Sequence, residues 1–473
     1  MFKKILVCNR GEIAMRIIRA SKELGISTVA IYSEVDRFAL HVKRATQAHC
    51  LSAEPLDAYL NIQKIINLAQ SSGCDAIHPG YGFLSENADF AKACEQAGII
   101  FIGPRSELIA QMGSKVAARD AMRKAGIPVI PGSDGNIESF DKAKNVAKKL
   151  GYPVMLKATF GGGGRGIRVC DDEEQLKRQF ERVQSEASKA FGNANIYMEK
   201  HIQNPRHIEV QILADHHGKV LHLFERDCSI QRRHQKLVEV APARNLSDET
   251  RKQLYQYAVD AAKSLGYTNA GTMEFILDQN DTVYFLEMNT RLQVEHPITE
   301  AITGVDIVQE QIKIAAGEKL QYQQKNINCQ GYAIEFRINA EDPKNDFLPS
   351  FGTITRYYAP GGPGVRTDSA IYTGYTIPPD FDSLCAKLVV WGADWHMALE
   401  RSKRALQETR LFGVKTTMPY YLELLDAKDV REGRWHTGLI PEHPEWLDYS
   451  TKAFPQHMAA AIAATIVVNS ETI

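Results

Sequence analysis

Polar side chains that could do chemistry recur at every second position of one segment, VYFLEMNTRLQVEHP, which spans 283–297. They belong to Glu287, Asn289, Arg291, Gln293 and Glu295. Because successive side chains of an extended chain point to opposite faces, this spacing predicts that all five share one face. Two carboxylates, a guanidinium and two amides in one row make a poor core. The row therefore indicates a reaction site, and the alternate positions suit a packed face.

A second strand pattern upstream, GTMEFIL, brings another carboxylate to this row. A hairpin that turns at Asn280 and Asp281 would place Glu274 directly opposite Glu287. Like charges opposed across a sheet destabilise it, so a cation is expected between them. With Asn289, these oxygens suit Mg²⁺ or Mn²⁺. The alternative is a solvated hairpin face, which is as plausible for a single acid pair; five aligned groups favour the site.

The elements that must hold this row belong to a chain of ordinary globular composition. Its 473 residues, 44% of them apolar, suggest about two to four domains. The 57 acidic and 56 basic residues nearly cancel, which argues against a nucleic-acid or membrane partner. No run approaches the length of a membrane span, and the N-terminus lacks a signal-peptide pattern. Eight scattered cysteines without a CxxC pair favour free thiols and a cytoplasmic location.

Strand and helix patterns alternate over the N-terminal third. Short β-forming runs lie at 4–8, 27–32, 74–78 and 99–103, with helical patterns between them. This alternation predicts a doubly wound parallel sheet. The loop 78–87 follows a strand, at the edge where such sheets form ligand crevices. The first turn, NRGEIA, lacks the GxGxxG pattern, so dinucleotide binding is not predicted, and each loop taken alone could be structural.

A glycine-rich run in the middle of the chain indicates a phosphate site. The predicted strand 152–158 carries Lys157 near its end and leads into Gly161–Gly166, which includes Gly163 and Gly164. Consecutive glycines allow backbone N–H groups to approach an anion closely. A flexible hairpin tip is the alternative, and the neighbouring lysine favours a lid that closes over phosphates.

Three further segments complete the predicted nucleotide site. Lys115 begins a predicted helix that ends near Lys124. The strand-to-linker segment from Glu199 to Ile202 offers the polar edge and apolar wall that an adenine needs. The run SIQRRHQK at 229–236 is expected to face an anion, although a basic run is more often a solvated surface.

Six motifs, in order, resemble those of the biotin carboxylases of the ATP-grasp superfamily: MLKATFGGGGRG, MEKHIQNPRHIEVQ, DCSIQRRHQK, GTMEF, EMNTRLQVEHP and EFRINAEDP. The likeness runs to about residue 446 and is strongest to the separate biotin carboxylase subunit of two-subunit pyruvate carboxylases. It implies mixed α/β and α+β architecture. The implied parts are an N-terminal doubly wound parallel-sheet (pre-ATP-grasp) domain at 1–112, a helical linker at 113–130, an ATP-grasp lid at 131–201, an ATP-grasp core at 202–330, a β-rich C-terminal domain at 331–446 and a tail at 447–473.

The resemblance also implies roles for particular residues. ATP would be held by Lys115, Lys157, the Gly161–Gly166 loop, Glu199, Lys200, Ile202, His207, Gln231, His234, Glu274 and Glu287. Two Mg²⁺ ions, or Mn²⁺, would be bound by Glu274, Glu287 and Asn289. Bicarbonate would be bound by Arg291, Gln293 and Val294, with Lys236 between it and the γ-phosphate. Glu295 would be the base, and Arg337 would stabilise the biotin enolate. The biotin pocket would be bordered by Tyr81, Gly82 and Glu86.

The implied reaction is ATP- and bicarbonate-dependent carboxylation of biotin through carboxyphosphate. The chain has no Ala-Met-Lys-Met tetrapeptide, so the biotin is expected on a separate carrier chain. Arg19, Glu23 and Arg366 match positions where the family forms a homodimer. The apolar run 458–468 is expected to form a helix that packs on its own chain or on a partner.

Several alternatives remain open at this stage. The final acceptor is expected to be pyruvate or another 2-oxo acid, with acetyl-CoA carboxylase as the alternative assembly. An ATP-grasp ligase of another kind would need an amine or purine substrate and would not respond to biotin. A non-catalytic nucleotide-binding module would bind ATP without turnover.

Overall fold

The N-terminal domain is a parallel sheet covered by helices. The computed structural model describes residues 1–158, 167–191 and 195–449, with residue 463 alone beyond them. The sheet comprises β1 (Lys4–Val7), β2 (Ser27–Ser33), β3 (Gln47–Ser52), β4 (Ala76–His78) and β5 (Ile100–Phe101), in the order β3-β2-β1-β4-β5. All its neighbouring strands are parallel. Its helices are α1 (Gly11–Glu23), α2 (Leu40–Arg44), α3 (Asp57–Leu60), α4 (Ile62–Ser71) and α5 (Ala88–Gln96).

The predicted doubly wound parallel sheet is therefore confirmed. The sequence patterns missed β3, whose side chains are half-buried or exposed. An edge strand that is only partly covered lacks the hydrophobic alternation that would reveal it.

Two helices lead from this domain to the lid, α6 (Ser106–Gly113) and α7 (Lys115–Lys124). The side chain of Ser114 caps α7 by accepting a hydrogen bond from the backbone N–H of Ala117. The lid comprises α8 (Phe140–Leu150), β6 (Val154–Ala158), β7 (Ile167–Cys170), α9 (Glu173–Phe191) and β8 (Ile196–Lys200). Its antiparallel sheet has the order β7-β6-β8. The helices cover one face of that sheet, where Leu156 and Met198 lie in the lid's own apolar core.

One antiparallel sheet of eight strands forms the floor of the molecule. Its first five strands are β9 (Arg206–Ala214), β10 (Val220–Arg232), β11 (Gln235–Ala241), β12 (Asn269–Leu277) and β13 (Val283–Asn289). Three more strands follow residue 330: β14 (Tyr332–Asn339), β19 (Val365–Ser369) and β21 (Leu384–Gly392). The order is β13-β12-β9-β10-β11-β14-β21-β19. The predicted core and C-terminal segments thus share a continuous sheet.

Small strands and helices complete the fold. The strands are β15 (Glu341–Asp342), β16 (Leu348–Pro349), β17 (Gly352–Thr353), β18 (Arg356–Tyr358), β20 (Thr376–Ile377) and β22 (Arg410–Phe412). The helices are α10 (Asp248–Ser264), α11 (His296–Thr303), α12 (Ile307–Ala315), α13 (Trp395–Glu408), α14 (Met418–Asp426), α15 (Lys428–Glu432) and α16 (Leu439–Glu442). Over the described ranges, none of the helices is both long and apolar enough to cross a membrane.

Local sequence explains where two of the longer helices begin. The side chain of Ser247 accepts from the N–H of Thr250 at the start of α10, and Asp248 and Glu249 follow in its first turn. Asp394 accepts from the N–H of Met397 at the start of α13. A short polar side chain before a helix satisfies an N–H that has no partner within the helix.

Candidate active site

A cavity of about 890 Å³ opens where the lid, the large sheet and the N-terminal domain meet. Most of the residues predicted for the site line it: Tyr81, Gly82, Lys115, Lys157, Glu199, Lys200, Ile202, His207, Gln231, His234, Lys236, Glu274, Glu287, Asn289, Arg291, Gln293, Val294, Glu295 and Arg337. Glu86 reaches the cavity through Arg291, to which it is bound at 2.7 Å. The glycine loop Gly161–Gly166, with Gly163 and Gly164, lies outside the described residues.

The predicted hairpin register is confirmed on the cavity floor. Strands β12 and β13 place Glu274 opposite Glu287 and Thr272 opposite Asn289. A bulge follows between Glu274 and Phe275, so the pairs nearer the turn are offset by one position from the predicted register. The two carboxylates therefore face each other on one side of the sheet.

The prediction of extended chain through Glu295 is wrong. Strand β13 ends at Asn289, and α11 begins at His296 with Glu295 as its N-cap residue. The backbone leaves the sheet where the N–H of Thr290 donates to Glu86 at 3.0 Å. Pro297 in the first turn then favours a helix. The side chains nevertheless converge, because the turn that replaces the strand curves around the same cavity.

Lys236 is surrounded by carboxylates. Its Nζ atom donates to Glu209 at 2.6 Å, Glu274 at 3.1 Å and Glu295 at 2.6 Å. Burial opposes its charge, but the neighbouring anions outweigh burial and hold the pKa of Lys236 well above its ordinary value. The ammonium group is therefore a fixed cation at the centre of the floor.

Glu295 lies between two cations. Besides Lys236, it accepts from Arg337 Nη2 at 3.0 Å, and Arg337 Nε donates to Glu239 at 2.6 Å. Burial would raise the pKa of Glu295, but Lys236, Arg337 and Arg226 hold that pKa well below its ordinary value. Glu295 is thus ionised and able to accept a proton once an anionic substrate draws these cations away.

Glu274 is the most heavily bonded carboxylate of the floor. His207 Nε2 lies 2.7 Å from one of its oxygens. Its other oxygen accepts from Asn289 at 2.8 Å and Gln293 at 2.6 Å. Burial opposes the charges of this pair, yet Glu274 raises the pKa of His207, while Lys236 and His207 lower the pKa of Glu274.

The residues predicted to bind metal form a donor set that fits Mg²⁺. Glu274 and Glu287 are opposed in register, and the Glu274 carboxylate raises the pKa of Glu287, whose side chain is open to the cavity. That shift is the repulsion expected when two carboxylates share a site. Carboxylate and amide oxygens are the ligands that Mg²⁺ prefers, so these side chains and Asn289 would hold the ion.

The lid contributes a second charged cluster. Glu199 pairs with Lys157 and with Arg119, both at short range. Lys200 donates to the carbonyls of Gly151 and Tyr152 at 3.0 Å. Two of the lysines predicted to hold ATP thus have protein partners in this structure.

The hairpin of β10 and β11 carries two predicted nucleotide residues, Gln231 near the end of β10 and His234 in the turn. Both turn residues, Arg233 (φ 49°) and His234 (φ 65°), have left-handed backbone, which two-residue hairpin turns require. The exposed carboxylate of Asp346 pairs with Arg232 and with Arg233. The basic run thus turns at the cavity edge and does not form a continuous solvated face.

Sequence reasoning missed Arg226 and Glu209. Arg226 is fully buried and donates to Glu209 at 2.5 Å and to Gln293 at 2.6 Å. Further bonds reach Gln211 at 2.8 Å, Thr299 at 3.0 Å and Thr272 at 3.2 Å. The alternating pattern HIEVQ could have indicated that Glu209 shares a face with His207 and Gln211. Nothing local to FERDCS distinguishes Arg226 from a surface arginine.

The residues predicted for a homodimer lie together near α1. Arg19 and Glu23 are exposed, and Glu23 accepts from Gln309 at 2.8 Å. Arg366 pairs with Glu300 at 2.7 Å and with Asp368 at 2.6 Å. Arg366 is therefore partly engaged within its own chain.

This architecture, a lid over an antiparallel floor with opposed carboxylates and a central lysine, defines an ATP-grasp enzyme. Residues 1–109 match the family "Biotin carboxylase, N-terminal domain". Residues 114–323 match "Carbamoyl-phosphate synthase L chain, ATP binding domain", and 335–442 match "Biotin carboxylase C-terminal domain". The chain belongs to the biotin carboxylase family.

Named relatives align along almost the whole chain. It is 54% identical over 466 residues to the 2-oxoglutarate carboxylase small subunit of Hydrogenobacter thermophilus, covering 98% of this chain and 99% of the relative. It is 52% identical to biotin carboxylase 1 of Bacillus subtilis, covering 93% and 98%. It is 51% identical to a pyruvate carboxylase subunit of Methanothermobacter thermautotrophicus, covering 95% and 91%.

A solved structure of high similarity carries ligands. It is the biotin carboxylase domain dimer of the Hydrogenobacter thermophilus 2-oxoglutarate carboxylase, in complex with MgADP, ADP and bicarbonate. The chain superposes on it with a TM-score of 0.93 at 55% identity, covering 95% of this chain and 99% of that one.

Proposed function

We propose that this chain carboxylates biotin on a separate carrier protein, as the biotin carboxylase subunit of a 2-oxo acid carboxylase acting on pyruvate or 2-oxoglutarate. The observation that carries the acceptor class is the 54% identity to a 2-oxoglutarate carboxylase small subunit, which extends over 98% of the chain. The similar identity to a B. subtilis biotin carboxylase keeps the acetyl-CoA carboxylase assembly as the second candidate.

ATP would lie between the lid and the floor. Lys157 and Lys200 would turn from their protein partners to the phosphates, and the segment Glu199–Ile202 would border the adenine. Lys115 has its pKa lowered by burial and by Lys157, with Glu287 opposing the shift, so an anion beside it would be favoured. Glu274, Glu287 and Asn289 would hold Mg²⁺, and the bound ion would neutralise negative charge on the phosphates of ATP.

Bicarbonate would bind beside Lys236, held by Arg291, Gln293 and the backbone at Val294. Glu295 would accept the bicarbonate proton while the freed oxygen attacks the γ-phosphorus of ATP. The bond to the bridging oxygen breaks, ADP leaves and carboxyphosphate forms. Lys236 Nζ lies 2.6 Å from the Glu295 carboxylate. It would stabilise the negative charge that develops on the phosphoryl oxygens.

Biotin would be carboxylated in the same cavity. Carboxyphosphate breaks down to CO₂ and phosphate; the phosphate takes the ureido N–H proton, and the nitrogen attacks CO₂. Negative charge then grows on the ureido oxygen, where Arg337 would stabilise it. Tyr81 and Gly82 would border the biotin, and Glu86 would act through Arg291.

A separate chain would supply the biotin carrier and the carboxyltransferase. A homodimer would use the surface around Arg19, Glu23 and Arg366. The free thiols of all eight cysteines are compatible with the cytoplasm.

The acceptor is tested by purifying the chain with its native partner and measuring acceptor-dependent phosphate release from ATP and bicarbonate. Pyruvate or 2-oxoglutarate should stimulate release, and acetyl-CoA should not. Stimulation by acetyl-CoA alone would overturn the 2-oxo acid assignment and support the second candidate.

A further inference from the structure

Two buried glutamates oppose each other beneath the active site. Strands β11 and β14 pair Glu239 directly with Glu335, and both side chains are fully buried. Among the described residues, neither oxygen of Glu335 has a hydrogen-bond partner, and Oε2 of Glu239 also lacks one. Directly opposed carboxylates lie within reach of each other, and two buried charges without a counter-ion there would be costly.

The surrounding cations are bound to groups other than Glu335. Arg337, on the same strand, is bound to Glu239 and Glu295. Lys387 is fully buried and donates to the carbonyl of Val294 at 2.8 Å, with Glu12 at 3.2 Å. Within the part of the chain that the structure describes, Glu335 is thus left without an ionic partner.

A shared proton resolves this arrangement. A protonated carboxyl is a donor as well as an acceptor, so one proton between the pair satisfies an oxygen on each side. The pair then carries a single negative charge, which Arg337 balances. We propose that Glu335 is a neutral carboxylic acid that donates its proton to Glu239, and that it is thereby a positioning residue for Arg337.

The groups that face Glu335 support this protonation state. Burial raises its pKa, Glu239 and Glu295 raise it further, and Lys387 and Arg337 oppose the shift. Tyr81, which also lies within electrostatic range, has its pKa raised by burial and by Glu12 and is uncharged. His296, at the start of α11, has its pKa lowered by burial and by Lys387, so it adds no positive charge.

The consequence for catalysis rests on the role proposed for Arg337. If Glu335 were ionised, the pair would hold two negative charges and draw the guanidinium towards the sheet. With Glu335 neutral, Arg337 keeps one bond to Glu239 and directs its remaining N–H groups into the cavity. The pKa of Glu335 is raised in the folded protein, so the stability that its proton contributes is complete below the ordinary glutamate pKa. That contribution is lost as pH rises through the raised pKa.

Infrared difference spectroscopy of the intact protein tests the protonation directly. At neutral pH, Glu335→Gln should remove a protonated carboxylic-acid carbonyl band. Glu225→Gln should leave that band unchanged, because Glu225 is an equally buried carboxylate that is paired with Arg251. If Glu335→Gln removes no such band, the proposal is overturned, whatever reaction the enzyme catalyses.

Kinetics test the positioning role separately. Glutamine is neutral and can donate an N–H to Glu239, so Glu335→Gln should retain biotin carboxylation. The wild-type rate should decline at alkaline pH as the glutamate pair loses its proton, and the variant should lack that decline. Glu335→Leu should lower biotin-dependent turnover roughly 10- to 100-fold, the range expected for a displaced group, with the KM for ATP unchanged. Equal activity and an equal pH profile in all three proteins would overturn the positioning role.

Discussion

Replacement of Arg226 by methionine tests whether the buried floor is held together by one guanidinium. The side chain makes five hydrogen bonds, including those to Glu209 and Gln293, and no part of it is exposed. Methionine fills much of the volume but leaves the carboxylate of Glu209 with Lys236 as its remaining cation. Breaking a buried ion pair from one side typically costs about 3–5 kcal/mol.

The free energy of unfolding should therefore fall by about that amount in urea unfolding followed by circular dichroism. Gln293 would lose the donor to its side-chain oxygen, so the KM for bicarbonate should rise more than the KM for ATP. Arg226→Lys keeps the charge but cannot make five hydrogen bonds. Its free energy of unfolding and its KM for bicarbonate should lie between those of the wild type and Arg226→Met.

The double variant Arg226→Met/Glu209→Gln supplies the matched control. It removes the excess negative charge that Arg226 no longer balances, so it should recover part of the lost stability. A loss under about 1 kcal/mol in Arg226→Met, with an unchanged KM for bicarbonate, would refute this reasoning, as would a double variant less stable than the single one.

The remaining predictions concern three carboxylates of the cavity floor and the imidazole of His207. Glu295→Gln should keep ATP affinity and lose about 10²- to 10⁴-fold in bicarbonate-dependent turnover; turnover within a few-fold of wild type would contradict its role as the base. Glu274→Gln and Glu287→Gln should each raise the Mg²⁺ concentration for half-maximal ATP cleavage, and unchanged half-saturation in both would exclude a shared metal site. NMR titration should give His207 a pKa above the ordinary value of about 6.5, and Glu274→Gln should lower it. The stabilisation that His207 contributes is complete below the ordinary pKa and fades as pH rises through the raised one.

The parts of the fold that could be predicted from the sequence are those that local pattern determines. The helix Lys115–Lys124 has the predicted bounds. The pairing of Glu274 with Glu287 followed from a turn signal and a period of two. Residues 352–358 form two short strands, Gly352–Thr353 and Arg356–Tyr358, each paired with a different partner. That division depends on contacts distant in sequence.

The buried charges of the site illustrate the same limit. Arg226, Glu239 and Glu335 lie on strands that each resemble a partly exposed strand when considered alone. Their burial results from α11, which packs across the sheet and contributes Thr299 to the bonds of Arg226. A sequence pattern indicates which side chains lie on the same face of a strand. The element that packs on that face determines whether it is excluded from water.

The central claim is that the cavity couples ATP cleavage to the carboxylation of biotin. The most direct test is to incubate the purified chain with MgATP, carbon-labelled bicarbonate and free biotin, and to measure ADP and labelled carboxybiotin together. ADP should form only with bicarbonate present, biotin should accelerate its formation, and Glu295→Gln should lower the yield of both products by about 10²- to 10⁴-fold. Cleavage of ATP that is independent of bicarbonate, with no label on biotin, would contradict this coupling.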